Sequence, residues 1–252
     1  MHRFYALAQE EDCAVLSPED AHHALHVLRL HCGDPVEIVL GGKRYTAAIA
    51  SVIPDHVTAR LTGTLPDTES ALRVTLFQGL PKGDKMELIV QKAVELGCAQ
   101  IVPVSMSRCV VKLTAKDAAK KCERWQKIAR EAGKQSGRTC EVTVTAPVPL
   151  AALSEHLSSL DAVLVPWEEE KSTGLRSFCL AHPELHSLGI IIGPEGGISP
   201  EEIDILKRAG ALPVTLGPRI LRTETAGICA LSAVMCLMGE MESGRERMEE
   251  TL

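Results

Sequence analysis

The pattern of apolar and polar positions changes rhythm near residue 70. Before it, short apolar runs follow one another closely: residues 3–5, 35–40, 44–52 and 56–61 read as strands. Gly41-Gly42 between two of them is a hairpin signal. Ser17-Pro18-Glu19-Asp20 carries an N-cap signature and opens a short helix reaching about His26. Strands this short and closely spaced predict a small barrel or curled sheet. The polar stretch 64–70, with Pro66 inside it, is the expected linker.

Beyond it the order becomes strand, helix, strand. Residues 72–80 form a strand, Lys82-Gly83-Asp84 a turn, and Asp84 with Glu87 a capping box. Met86, Ile89, Val90, Ala93, Val94 and Leu96 make a helical stripe that Gly97 stops. Strands are predicted at 101–104 and 162–165, with a charged helix over 116–134. Residues 188–192 are an apolar, β-branched run that ends at Gly193-Pro194-Glu195-Gly196-Gly197, as a buried parallel strand ends in a tight loop. Ser199, Pro200 and Glu202 then supply cap, first-turn proline and capping-box carboxylate. The unit recurs: strand 213–216 empties into Gly217-Pro218-Arg219-Ile220-Leu221-Arg222-Thr223-Glu224-Thr225-Ala226, and an almost wholly apolar helix follows over 224–238. Two bare strand ends, expected side by side, are where open α/β sheets place a small-molecule site. Cys229 and Cys236, seven apart on the last helix, are expected to share a buried face. The charged tail 241–252 lacks a stripe and is expected to fray.

Composition narrows the chemistry by exclusion. With 252 residues and 45% apolar content the chain can bury one large or two modest cores. No run of about eighteen apolar residues and no signal-peptide core is present, so a cytoplasmic protein without a membrane segment is expected. The nine cysteines are scattered and never spaced as C-x-x-C, which favours small buried thiols over disulfides or zinc. His22 and His26 have helical metal-pair spacing, but nothing completes a shell, so no metal is expected. The phosphate-loop ending Gly-Lys-Ser/Thr and the dinucleotide fingerprint G-x-G-x-x-G are both absent. Net charge is −6, which alone argues against a polyanion partner. Yet residues 81–138 hold thirteen Lys or Arg against six Asp or Glu, a local footprint suited to phosphate. A solvated helix face is the competing reading of that excess.

The joint motif G-P-E-G-G and, about twenty residues on, L-G-P-R-I-L-R-T-E-T-A resembles the cofactor half of the bacterial 16S rRNA uridine-N3 methyltransferases, the small subunit methyltransferase E family of the SPOUT trefoil-knot superfamily. A-H-H-A-L-H-V-L-R-L-H-C-G-D near the start, and the block from Q-G-L-P-K-G-D-K-M-E to S-R-C-V-V-K, are similar to the same family. An aromatic residue usually follows the glycine pair there; here it is Ile198.

The resemblance implies an α/β fold with a PUA-like RNA-binding β-barrel over residues 1–69 and a knotted methyltransferase domain over 70–252. It implies S-adenosylmethionine as cofactor, held by Gly193, Pro194, Glu195, Gly196 and Gly197 of the first loop. From the second loop it implies Leu216, Gly217, Ile220, Leu221, Arg222, Thr225 and Ala226, with a third loop at Pro166-Trp167. Arg3, His23, Arg29, Lys82, Lys85, Arg108, Lys112 and Arg138 are the expected RNA contacts, and a homodimer acting on the small ribosomal subunit is implied. Methylating uridine N3 requires positioning and a partner for the developing imidate; Arg222 is the candidate for stabilising that anion or for gripping the target's phosphate. Glu224 or Glu195 can act as general base only with a raised pKa, and Glu224 can instead be a helix cap. A ribose 2′-oxygen methyltransferase and a non-catalytic RNA-binding assembly factor remain as alternatives.

Overall fold

The computed structural model describes residues 1–53 and 56–242; most of the tail 241–252 therefore lies outside the described residues. By contact density the chain divides into two units, residues 1–69 with 137–140, and residues 70–136 with 141–252.

The first unit is a closed barrel in the order β1-β2-β5-β4-β3, formed by β1 (His2–Glu10), β2 (Cys13–Leu16), β3 (Pro35–Leu40), β4 (Lys43–Ile53) and β5 (His56–Leu65). All pairings are antiparallel except β1 with β3. The β3–β4 hairpin turns at Gly41 and Gly42, which hold φ of 57° and 75°, a conformation glycine adopts without steric cost. Phe4, Leu16, Ile38 and Val57 fill the interior. Ser17 caps α1 (Pro18–His22) by accepting the Asp20 amide, and the helix runs on as one π turn, His23–Val27. Two expectations are corrected. β2 was not predicted, because four residues give too short an alternation. The strand β5 continues to Leu65 and so shortens the expected linker.

The second unit is a seven-stranded parallel sheet in the order β12-β10-β11-β6-β7-β8, with β9 on β7. Its elements are β6 (Arg73–Gly79), α2 (Lys85–Glu95), β7 (Gln100–Ser105), α3 (Ala115–Ser136), β8 (Thr143–Val144), β9 (Val148–Pro149), α4 (Leu153–Leu157), β10 (Ala162–Pro166), α5 (Leu175–Ala181), β11 (Ser187–Ile192), α6 (Pro200–Arg208), β12 (Leu212–Val214) and α7 (Thr223–Leu237). Ser199 and Glu202 form the full capping box expected at α6. The box expected at α2 does not form. Asp84 has φ −96° and ψ 10°, near-helical rather than extended, so its side chain makes no cap bond, and Glu87 turns to Arg124 instead. β11 and β12 are not neighbours, since β10 runs between them and pairs with both.

Apolar all round, α7 gives no phase from sequence. It buries Thr223, Gly227, Ala230, Leu231, Val234 and Met235, leaving Cys229 and Cys236 exposed. They share a face, as their spacing requires, but it is the solvent face. Of the remaining thiols Cys98, Cys109 and Cys179 are buried, while Cys32 and Cys140 are exposed.

Candidate functional site

Because the strands are parallel, β12, β10, β11 and β6 end at one edge of the sheet, and the two glycine loops lie there with the end of β10 between them. Trp167 follows β10, donates its amide to the Val214 carbonyl at 3.0 Å, and carries Lys207 over its ring at 5.5 Å. The first loop turns through the Gly197 amide on the Pro194 carbonyl at 2.9 Å, with Gly197 at φ 72°. Close approach explains the neighbouring glycine requirement. A β-carbon on Gly79, at the end of β6, would lie 2.6 Å from the Pro194 nitrogen, and one on Gly196 would lie 2.9 Å from Arg108 Cβ. Ile198, where an aromatic was expected, is buried in the core beside Gly193.

A buried relay joins the second loop to the first. Thr223, the first residue of α7, donates its hydroxyl to the Gly193 carbonyl at 2.6 Å and accepts from Gln78 Nε2 at 2.9 Å. Gln78 is fully buried at the end of β6 and also donates to the Gly79 carbonyl, while its Oε1 has no hydrogen bond. Neither residue was singled out from sequence. The available signal was a glutamine inside an otherwise apolar strand.

A second connection lies at the rim. Lys85 Nζ stands 3.0 Å from Glu195 Oε1 and 3.1 Å from Glu224 Oε2. Burial pushes the Glu195 carboxyl up, but hydrogen bonds from Lys85 and from the backbone outweigh it, and the group titrates below the ordinary carboxylate range. Glu224 is likewise lowered, first by its own backbone amide and then by Lys85 and Arg222 against a burial penalty. Neither carboxylate meets the raised-pKa condition for a general base at neutral pH. Arg222 is exposed, caps α7 through its backbone only, its carbonyl accepting the Ala226 amide at 2.7 Å, and its side chain has no hydrogen bond or ion pair among the described residues. Gly217 and Ile220 are exposed and Leu216, Leu221 and Ala226 half-buried, with Thr225 on the open face of α7. The amides of Leu216, Ile220 and Leu221 find no backbone partner among the described residues.

The expected RNA contacts separate into two groups. His23, Arg29, Lys82, Arg108 and Lys112 are exposed, Arg29 in the left-handed region at φ 54° and Arg108 donating to the Gly196 carbonyl at 3.0 Å. Arg3, Lys85 and Arg138 are engaged inside the protein. Arg3 shares Glu37 with Arg44, at 2.8 and 2.7 Å. Arg138 is buried and pairs with Glu69 at 2.7 Å, and Glu69 also accepts the Thr139 amide at 2.6 Å. Two of the cations on α3 are balanced locally, Arg124 by Glu87 and Arg130 by Glu141. Among the described residues no group of three or more metal-ligating side chains occurs, and no helix is long and apolar enough to cross a membrane.

A parallel sheet with bare loops at one edge, joined in the chain to a small closed barrel, defines an RNA methyltransferase class: residues 68–235 match the RNA methyltransferase domain family and 16–62 the RNA methyltransferase PUA domain family. Ribosomal RNA small subunit methyltransferase E of Bacillus subtilis is 37% identical over 225 residues, covering 87% of this chain and 88% of the relative. The enzyme of the same name from Mycobacterium bovis is 31% identical over 237 residues, covering 91% and 88%. A crystal structure of ribosomal RNA small subunit methyltransferase E from Neisseria gonorrhoeae, bound to S-adenosyl methionine, superposes with a TM-score of 0.80 at 33% identity, covering 94% of this chain and 98% of that one. The chain belongs to the ribosomal RNA small subunit methyltransferase E family and has the SPOUT trefoil-knot fold with a PUA-like barrel.

Proposed function

We propose that this protein transfers a methyl group from S-adenosylmethionine to N3 of a uridine in 16S rRNA of the small ribosomal subunit, in the cytoplasm. The observation that carries the reading is the edge of the sheet where loop amides without a partner among the described residues, glycines that admit no side chain, and the exposed Arg222 converge. The fit to the cofactor rests on those groups. The amides of Leu216, Ile220 and Leu221 offer hydrogen bonds that no other described residue uses, and Ile220, 88% exposed, offers apolar surface for a ligand to cover. Residues 193–197 form the other wall, and Trp167 stands at the end of the strand between. When bound, S-adenosylmethionine supplies an electrophilic methyl on a sulfonium.

The chain's own contribution is positioning and charge. Arg222 is the catalytic candidate, placed to stabilise negative charge developing on the uracil imide as its proton is lost. Glu224, ionised and paired with Lys85, holds the second loop rather than abstracting the proton. His23 and Arg29 of the barrel unit, and Lys82, Arg108 and Lys112 of the second unit, are the exposed residues of the expected set left to meet RNA phosphates. A homodimer through α7 would cover its open face of Thr225, Cys229 and Cys236.

Two measurements test the reading. Calorimetric titration should show saturable S-adenosylmethionine binding, lost in Gly196→Trp, whose side chain has no room beside Arg108. Nucleoside analysis of small subunits treated with enzyme and cofactor should then yield N3-methyluridine, abolished in Arg222→Ala with cofactor affinity largely kept. A ribose-methylated product, or no cofactor binding by the folded wild type, refutes it.

A further inference from the structure

With β10 between β11 and β12, no backbone ladder joins the two glycine loops. A side chain from a third element does so instead. Lys85 opens α2, and its single ammonium meets Glu195 of the first loop at 3.0 Å and Glu224 at the start of α7 at 3.1 Å. Glu195 is further fixed by the Lys82 amide, 3.2 and 3.4 Å from its two oxygens. Oε2 of Glu224 is sealed from solvent and makes no hydrogen bond within normal geometry, so the ammonium at 3.1 Å is its compensation.

We propose that Lys85 is a positioning residue that clamps the two loops in the arrangement able to hold the cofactor; the role rests on the cofactor reading given above. An isolated exposed ion pair contributes little, but this one differs in two respects. Both carboxylates are largely shielded, with side chains 17% and 21% exposed, which weakens screening by water. One cation also serves two anions, one from each loop, so its removal leaves both carboxylates without the charge between them. The ammonium is held between these two carboxylates, which withdraws Lys85 from the RNA contacts expected of it. The Gln78–Thr223–Gly193 relay also joins these two segments, so the clamp acts beside a second tie.

The test uses Lys85→Met and Lys85→Arg in the full-length protein, with S-adenosylmethionine affinity by calorimetry and hydrogen exchange of peptides covering residues 193–198 and 216–222 in the cofactor-free protein. Lys85→Met is expected to weaken cofactor binding about tenfold or more and to speed exchange in both loops together, while exchange in β6 and β7 stays slow; Lys85→Arg should restore most of both. Glu195→Gln, which keeps shape and removes one arm, should move both readouts the same way by less. Unchanged exchange in Lys85→Met overturns the clamp, as does unchanged cofactor affinity accompanied by a raised KM for RNA. If the wild type binds no cofactor, the functional reading fails, and the exchange measurement still decides whether the loops are clamped.

Discussion

Replacing Thr223 by valine exchanges a hydroxyl for a methyl at nearly constant shape. Thr223 is 6% exposed, and its hydroxyl is the central member of the relay, donating to Gly193 at 2.6 Å and accepting from Gln78 at 2.9 Å. Each lost hydrogen bond contributes about 1 kcal/mol net, and a carbonyl left without its partner adds about 1–3 kcal/mol if water cannot reach it. The Gly193 carbonyl is only part-buried and Gln78 keeps its bond to Gly79, so the lower part of that range applies. We expect Thr223→Val to destabilise the second unit by about 2–3 kcal/mol. The assay is selective without labelling: both tryptophans, Trp125 and Trp167, belong to that unit, so their fluorescence in urea reports it directly. With a slope of about 1–3 kcal/mol/M, the midpoint should fall by about 0.7–3 M, while Thr223→Ser, which keeps the hydroxyl, should cost under about 1 kcal/mol. A Thr223→Val midpoint within about 0.3 M of wild type, at unchanged slope, would show that the relay is geometric coincidence.

Gly79→Ala should destabilise the same unit by about 1–3 kcal/mol or block folding, since its β-carbon would stand 2.6 Å from backbone nitrogen of Pro194; wild-type urea unfolding would refute the close approach. Ser199→Ala removes one arm of the α6 capping box and should cost about 1 kcal/mol in the same assay. Glu69→Gln should loosen the barrel unit by about 3 kcal/mol or more, read as faster hydrogen exchange in β1 and β3, because Arg138 loses a partner at a site where their side chains are 9% and 15% exposed. The pH dependence follows in sign. Burial raises the Glu69 pKa, but Arg138 and the Thr139 and Cys140 amides lower it further, to a folded value below the 4.5 of the unfolded chain. Its contribution is therefore complete above about 4.5 and disappears as pH falls through the lower folded value, so acid unfolding of the barrel should flatten in Glu69→Gln.

What the sequence determined by itself was local. The Gly41-Gly42 hairpin, the Ser17 cap and the Ser199–Glu202 box each depend on residues a few positions apart, whose hydrogen bonds close within one turn. The buried strands β6, β7, β10 and β11 were legible because a run flanked by glycine and polar residues has few other ways to bury itself. The loop motifs located the candidate site for the same reason, as bare backbone at strand ends. Tertiary structure decided everything that depended on partners far along the chain. Lys85 reads as a phosphate contact until Glu195 and Glu224, more than a hundred residues later, close on it. Arg138 reads as a surface cation until Glu69 buries it. The apolar α7 carried no phase, so only its packing against the sheet could place Cys229 and Cys236 in solvent. A hydrogen bond within a turn is fixed by the residues that make the turn, whereas a charge takes its role from the surface it meets, and that surface exists only once the chain has folded.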